Sequence, residues 1–343
     1  MNKLNSRKFK MFADCIPVKG FLRSVIYDLG RRDYEFVPNS LIDFILLAQG
    51  KTEDEIIANY SNEDEETVLM YLNFLKEKEF GFWIEDHLSE NFNEISLDWH
   101  SPAHISNSII EISQEINYNL FDVIFQLEEL GCRHLQMISY DILDLKKLES
   151  IINLIKRSSY KSIEIILKFD PILTMNELDS FIEGNKKIKS IIFHSSETNT
   201  IKNCIKDPSM GIIAHTKQQI TPNSNFNNNT KEYFNVSVEL FTEAQKYNSY
   251  FNRKVSIDKS GNIKNCITHK HYFGNVNINS IISIISTESF QKIWFASKDE
   301  TDVCRDCEFR YMCVDSRFPE IKNDGSWFHK KKCNYDPYTA KWD

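Results

Sequence analysis

Four cysteines share one spacing near the C-terminal end of this chain: Cys304-x2-Cys307-x5-Cys313, then Cys333, within TDVCRDCEFRYMCVDSR and GSWFHKKKCNYDPY. A Cys-x2-Cys turn lets two thiolates face one metal, and thiolates returning from the next segment and from a later turn close a four-sulfur site. The other four of the eight cysteines, Cys15, Cys132, Cys204 and Cys266, are scattered over the remaining length. Two disulfides are the competing reading. The stretch MNKLNSRKFKMF has too short an apolar region for a signal peptide, and cysteine-rich spacing in an intracellular chain favours metal. On chemistry alone, zinc and an iron–sulfur cluster suit four thiolates about equally.

The elements that must position these thiols begin with composition. At 343 residues, 41% hydrophobic and 26% charged, the chain is expected to form two or three domains of an ordinary soluble protein. No apolar run reaches the ~20 residues of a membrane helix. The formal charge of −8 argues against a broad nucleic-acid footprint. A cytoplasmic location, with no membrane and no nucleic acid as partner, is the expectation. Thr221 to Thr230 (TPNSNFNNNT) is low-complexity and reads as a loop.

Residues 1–90 read as a module of their own. FKMFADCIPVKG, RSVIYDL and YEFV are strand patterns, the last two joined by the turn Gly30-Arg31-Arg32-Asp33. Three helices follow. The first places Leu41, Phe44, Ile45 and Ala48 on one face, the second opens with the capping box Thr52 to Glu55, and the third turns Val68, Tyr71, Leu72 and Leu75 inward. With the closing strand FGFWIE this predicts a winged helix-turn-helix. DNA binding is the ordinary use of that fold, but the third helix begins Asn62-Glu-Asp-Glu-Glu66, with acids where phosphates would lie.

In residues 100–235 strands alternate with helices. HISNSIIEI, RHLQMIS, SIEIILKF and KIKSIIFHS are separated by helical patterns near Leu120–Leu130, Leu143–Ile155 and Asn176–Ile182. This predicts a parallel sheet with right-handed crossovers, as a partial (β/α) barrel or a doubly wound sheet. The fold class is therefore α/β, with a cysteine domain over 236–343.

The C-terminal stretch resembles the SPASM domain of radical SAM peptide-modifying enzymes. The resemblance rests on Gly261-NIKN-Cys266, on FGNV at Phe273 to Val276, and on the Cys304, Cys307, Cys313 and Cys333 set. It implies one auxiliary [4Fe-4S] cluster on those four cysteines, with zinc as the alternative. A second cluster is not implied: Tyr247 to Lys254 lacks cysteine, Arg317 stands where another would fall, and only Cys266 of that set remains. The family's Cys-x3-Cys-x2-Cys after the first barrel strand is missing beyond Ile112. Ser139, Tyr140 and Asp141 occupy the turn that would hold S-adenosylmethionine. No cofactor-binding residue for that molecule and no catalytic residue is therefore assigned, and the reading leans away from an enzyme.

The N-terminal module resembles the recognition element of ribosomally made, modified peptides, in which a leader peptide adds as a strand. Carried over, the contacts are Asp33, Tyr34, Glu35, Phe36 and Val37 on the edge, with Val68, Tyr71, Leu72 and Leu75 on the facing helix. The three parts together resemble the SPASM-domain peptide maturase of grasp-with-spasm systems. That implies an accessory role, binding the precursor and presenting it to an ATP-grasp ligase. An active radical peptide-modifying enzyme and a metal-containing winged-helix regulator are the alternatives. His269 or His271 with Cys266 could form a second metal site. His329 reads as structural, and Arg310 and Arg317 either offset cluster charge or pair with Asp306 and Asp315.

Overall fold

A computed structural model describes residues 7–60, 64–203, 211–224 and 230–343. Cys204, the Asn62–Glu63 start of the acidic run and residues 225–229 of the low-complexity stretch lie outside the described residues. The chain forms two compact units, one of Met1–Trp99, Asn227–Ser249 and Ala296–Asp343, the other of His100–Phe226 and Tyr250–Phe295. The stretch 236–343, read from sequence as one domain, is shared between them.

The first unit starts with strands β1 (Arg7–Met11), β2 (Cys15–Val18), β3 (Ser24–Asp28) and β4 (Asp33–Val37), then helices α1 (Asn39–Ala48), α2 (Glu53–Ile57) and α3 (Glu65–Glu77), and strand β5 (Gly81–Glu85). β1 pairs antiparallel with β5, and β2-β3-β4 form a separate antiparallel sheet in that order. The expected capping box of α2 is present, with the Thr52 N–H donating to Glu55 Oε2 at 2.8 Å and the Glu55 N–H to Thr52 Oγ1 at 3.3 Å.

Every residue of β3 is buried, because both faces of this small sheet are covered. Cys15, Ile26 and Val37 pack with Leu41, Phe44, Ile45, Ile56, Val68, Leu72 and Leu75 of the helices. On the opposite face Val18, Val25, Tyr27 and Leu29 pack with Phe309, Tyr311, Met312 and Tyr335. Strand alternation accounts for this directly: Ile26 points to the helices and its neighbours Val25 and Tyr27 to the cysteine segment.

In the second unit β6 (Asn107–Glu111), α4 (Leu120–Glu129), β7 (His134–Ile138), α5 (Leu145–Ile155), β8 (Ser162–Lys168), α6 (Met175–Glu183) and β9 (Ile188–His194) alternate as expected. The short strands β10 (Thr200–Asn203), β11 (Ile212–His215), β12 (Lys254–Ile257), β13 (Asn262–Lys264) and β14 (Gly274–Asn275) complete a nine-stranded sheet of order β10-β11-β9-β8-β7-β6-β12-β13-β14. All neighbours from β11 to β12 are parallel, and the edges are antiparallel. From β6 through β7 and β8 to β9 the chain steps one way along the sheet, as a barrel winds. Between the two sequence alternatives this favours the partial barrel. No helix among the described residues is long and apolar enough to cross a membrane.

Candidate metal centre

The four cysteines of the predicted set all lie in the first unit and carry no disulfide. Cys304 opens a single 3-10 turn, Cys304–Asp306, closed by the Cys307 N–H donating to Cys304 O at 3.0 Å. Phe309 closes the next turn, its carbonyl accepting from the N–H groups of Met312 and Cys313, each at 3.1 Å. Val303, just before the first ligand, is held at φ 67°, an expensive conformation for a β-branched residue.

Burial is the main influence on the thiols. It pushes Cys304 up to about 11, Cys313 to about 12 and Cys307 well above the ordinary range, and the charges of Cys304, Cys313 and Cys333 act on one another. Without a metal Cys304, Cys307 and Cys313 stay protonated at neutral pH, so metal uptake releases protons. An opening of 470 Å³ is lined by Cys304, Cys333, Arg317 and Tyr335.

The spacing of the sulfurs tests which metal fits. Tetrahedral Zn–S bonds of ~2.3 Å would bring all four within roughly 3.8 Å of one another. Among the described residues, the group that places three ligand atoms within 4.8 Å of one another is Cys304, Asp315 and His329, not three of the cysteines. Cys304, Cys313 and Cys333 are close enough to act on one another's charge, and four thiolates are a donor set that an iron–sulfur cluster accepts.

Asp315 belongs to a buried ion pair. Arg317 Nε donates to both its oxygens at 3.0 and 2.9 Å, Arg317 Nη2 donates at 2.6 Å, and Arg317 Nη1 goes to Lys331 O at 2.7 Å. Burial alone would raise the Asp315 carboxyl, but the Lys298 charge and the Arg317 hydrogen bonds hold it at about 2. His329 Nε2 lies 3.6 Å from Asp315, yet burial lowers the ring to about 4, so at neutral pH the contact is not an ion pair. Arg310 pairs with Asp299 at 2.9 Å rather than with Asp306.

The knuckle is fastened to the N-terminal sheet. Arg23 Nε donates to Glu308 Oε1 at 2.7 Å and the Tyr335 hydroxyl to the same oxygen at 2.5 Å. The Phe21 N–H donates to Asp306 O at 2.8 Å and Arg310 Nη1 to Lys19 O at 2.8 Å. Gly20 permits this approach, since a Cβ there would stand 3.0 Å from Glu308 N and closer still to Arg23 O.

The predicted peptide contacts divide. β4 is an edge of its sheet, paired with β3 alone. Tyr34 and Phe36, however, turn their rings to Phe309, with centroids 5.9 and 5.7 Å away. Val37, Val68, Leu72 and Leu75 are at most 6% exposed, so they build the core and are not open to a ligand. Asp33 is exposed, Tyr71 is half-buried with its hydroxyl 2.7 Å from Ser40 Oγ, and half-buried Glu35 pairs with Lys78 at 2.6 Å.

In the second unit, among the described residues, Cys266, His269 and His271 are not grouped with a third ligand atom. The Cys266 thiol lies 3.3 Å from Thr268 Oγ1, His269 stacks on Phe251 at 5.9 Å, and His271 is exposed. No thiol follows β6 before α4. The space beside β6–β9 is filled by Ile109, Ile138, Ile166, Ile220 and Ile267, with Tyr140 and Ile192 against them. Ser139 donates to Asp141 O at 2.9 Å, and its carbonyl lies 3.0 Å from His194 Nε2.

Residues 250–308 match the SPASM family, an iron–sulfur cluster-binding domain. The match takes in Cys266, Cys304 and Cys307 and ends before Cys313 and Cys333. Among solved structures, SuiB of Streptococcus suis is similar to the chain. The S-adenosylmethionine-bound crystal structure aligns at 9% identity over 89% of this chain and 94% of that chain, TM-score 0.39. The structure bound to precursor peptide SuiA aligns at 10% identity over the same shares, TM-score 0.37. No curated protein matches the chain.

Proposed function

We propose that this chain binds the leader of a ribosomally made precursor peptide and presents it to an ATP-grasp ligase, with a single [4Fe-4S] cluster on Cys304, Cys307, Cys313 and Cys333. The observation that carries the recognition reading is the unequal pair of edges on the sheet β2-β3-β4. β2 contains Pro17, which has no N–H to give, whereas Asp33–Val37 has no proline. An extended peptide adding along β4 gains backbone hydrogen bonds, beside the exposed Asp33 and the half-buried Glu35.

The match of residues 250–308 to an iron–sulfur cluster-binding domain favours a cluster over zinc. When bound, the cluster supplies a redox-capable, negatively charged group. The chain's residues hold it with four thiolates and anchor the knuckle to the recognition sheet through Arg23, Glu308 and Tyr335. With every ligand position taken by protein, a structural or electron-transfer role suits it better than substrate activation.

The test uses the full chain, purified anaerobically. Iron and sulfide near four per cluster, together with anisotropy binding of a labelled precursor that survives added duplex DNA, support the proposal. One zinc without iron rejects the cluster. Salt-sensitive binding of DNA with none of peptide would favour a winged-helix regulator, although the exposed Glu65 and Glu66 at the start of α3 oppose phosphate.

A further inference from the structure

Lys298 is 3% exposed, yet among the described residues no carboxylate stands within ion-pairing distance of its ammonium. Its hydrogen bond goes to the neutral Ser249 Oγ at 3.4 Å, and that hydroxyl gives its own proton to Cys313 O at 2.8 Å. The nearby acid, Asp315, is already claimed on both oxygens by Arg317. A buried ammonium with no anion in direct contact is unfavourable unless a counter-charge lies close by. The Ser249 hydroxyl seats the ammonium against the main chain of Cys313, whose thiol becomes an anion once it binds metal.

We propose that Lys298 is the counter-charge of the metal-bound thiolates, holding the loaded cluster in place and raising its reduction potential. The inference rests on the cluster reading above. Four thiolates leave an oxidised [4Fe-4S] group doubly negative, and Asp315 with Arg317 adds no net charge. Lys298 is then the cation that offsets it, from inside a low-dielectric wall where the effect is strong. A fixed positive charge favours the form of the cluster carrying one more electron.

Lys298→Met keeps the stem and removes the charge, Lys298→Gln also keeps a hydrogen-bonding end for Ser249, and Lys298→Arg keeps the charge. Each full-length variant is reconstituted anaerobically and compared with wild type. The measurements are iron and sulfide content, release of iron to a chelator, spectroelectrochemical potential and far-UV circular dichroism. The Met and Gln variants should show a more negative potential and lose iron about tenfold faster or more, while the Arg variant stays near wild type. If Lys298→Met fails to fold, Lys298→Gln carries the comparison. Folded, iron-loaded neutral variants with wild-type potential and retention overturn the proposal alone. A wild-type chain that takes up no iron overturns the cluster reading and this proposal together.

Discussion

The hydroxyl of Tyr27 donates to the main-chain carbonyl of Glu308 at 2.9 Å, across 281 residues of sequence. It also accepts from the Tyr311 N–H at 3.3 Å. Tyr27 is fully buried, so the sheet β2-β3-β4 has no solvent face of its own there. A fragment ending near residue 88 should therefore expose Val25 and Tyr27, bind a hydrophobic dye and lose cooperative unfolding that the full chain shows. A fragment that melts as sharply as the full chain would count against the shared core.

Glu308 is buried and holds Arg23 and Tyr335 through one oxygen. Glu308→Ala should cost about 3 kcal/mol, since both partners are left without their acceptor. Urea unfolding gives the value, and a cost below about 1 kcal/mol would mean that solvent replaces Glu308 easily.

Reduced, reconstituted protein mixed with S-adenosylmethionine should yield no 5′-deoxyadenosine above a no-protein control. The basis is the thiol-free segment between β6 and α4 and the isoleucine packing beside it. Catalytic formation of that product would restore the radical-enzyme alternative.

His269 is lowered by burial from 6.5 to about 4. Above pH 6.5 both folded and unfolded forms are neutral and this group adds no pH dependence. As pH falls toward 4 the unfolded chain takes up a proton that the folded chain refuses, so stability drops, by at most on the order of 3 kcal/mol. His269→Phe, which keeps a ring against Phe251, should flatten denaturation midpoints measured between pH 7.5 and 4.5.

Val303→Asn should raise the melting temperature at unchanged metal content, because Asn tolerates positive φ and the relief is on the order of 1 kcal/mol. A lower melting temperature would show that the exposed Val303 side chain contributes more than its backbone costs.

Much of this was legible from residue order. Cysteine spacing located the knuckle, and the alternation of strands and helices gave the parallel sheet. The Thr52–Glu55 pattern gave the start of α2. Assigning Val68, Leu72 and Leu75 to a ligand overlooked what their periodicity means: the face that makes α3 amphipathic is the face its core consumes. The packing of Phe309 beneath Tyr34 and Phe36 was not legible, because alternation along a strand says nothing of so distant a partner, although β4 is an edge and Phe36 stays exposed. Lys298 has no signal at all, since a lysine among SKDE reads as surface. The strands β10 and β11 are too short for a periodic pattern to emerge.

The first unit is assembled from three separated stretches of chain, and this has a consequence during synthesis. Tyr27 must wait for Glu308, 281 residues later, which at ribosomal speed is roughly 15 to 55 s. Throughout that interval one side of β3 is apolar and uncovered on a nascent chain. The protein should accordingly engage holding chaperones while it is being made, and slow translation should cost it yield more than it would a protein whose domains are continuous in sequence.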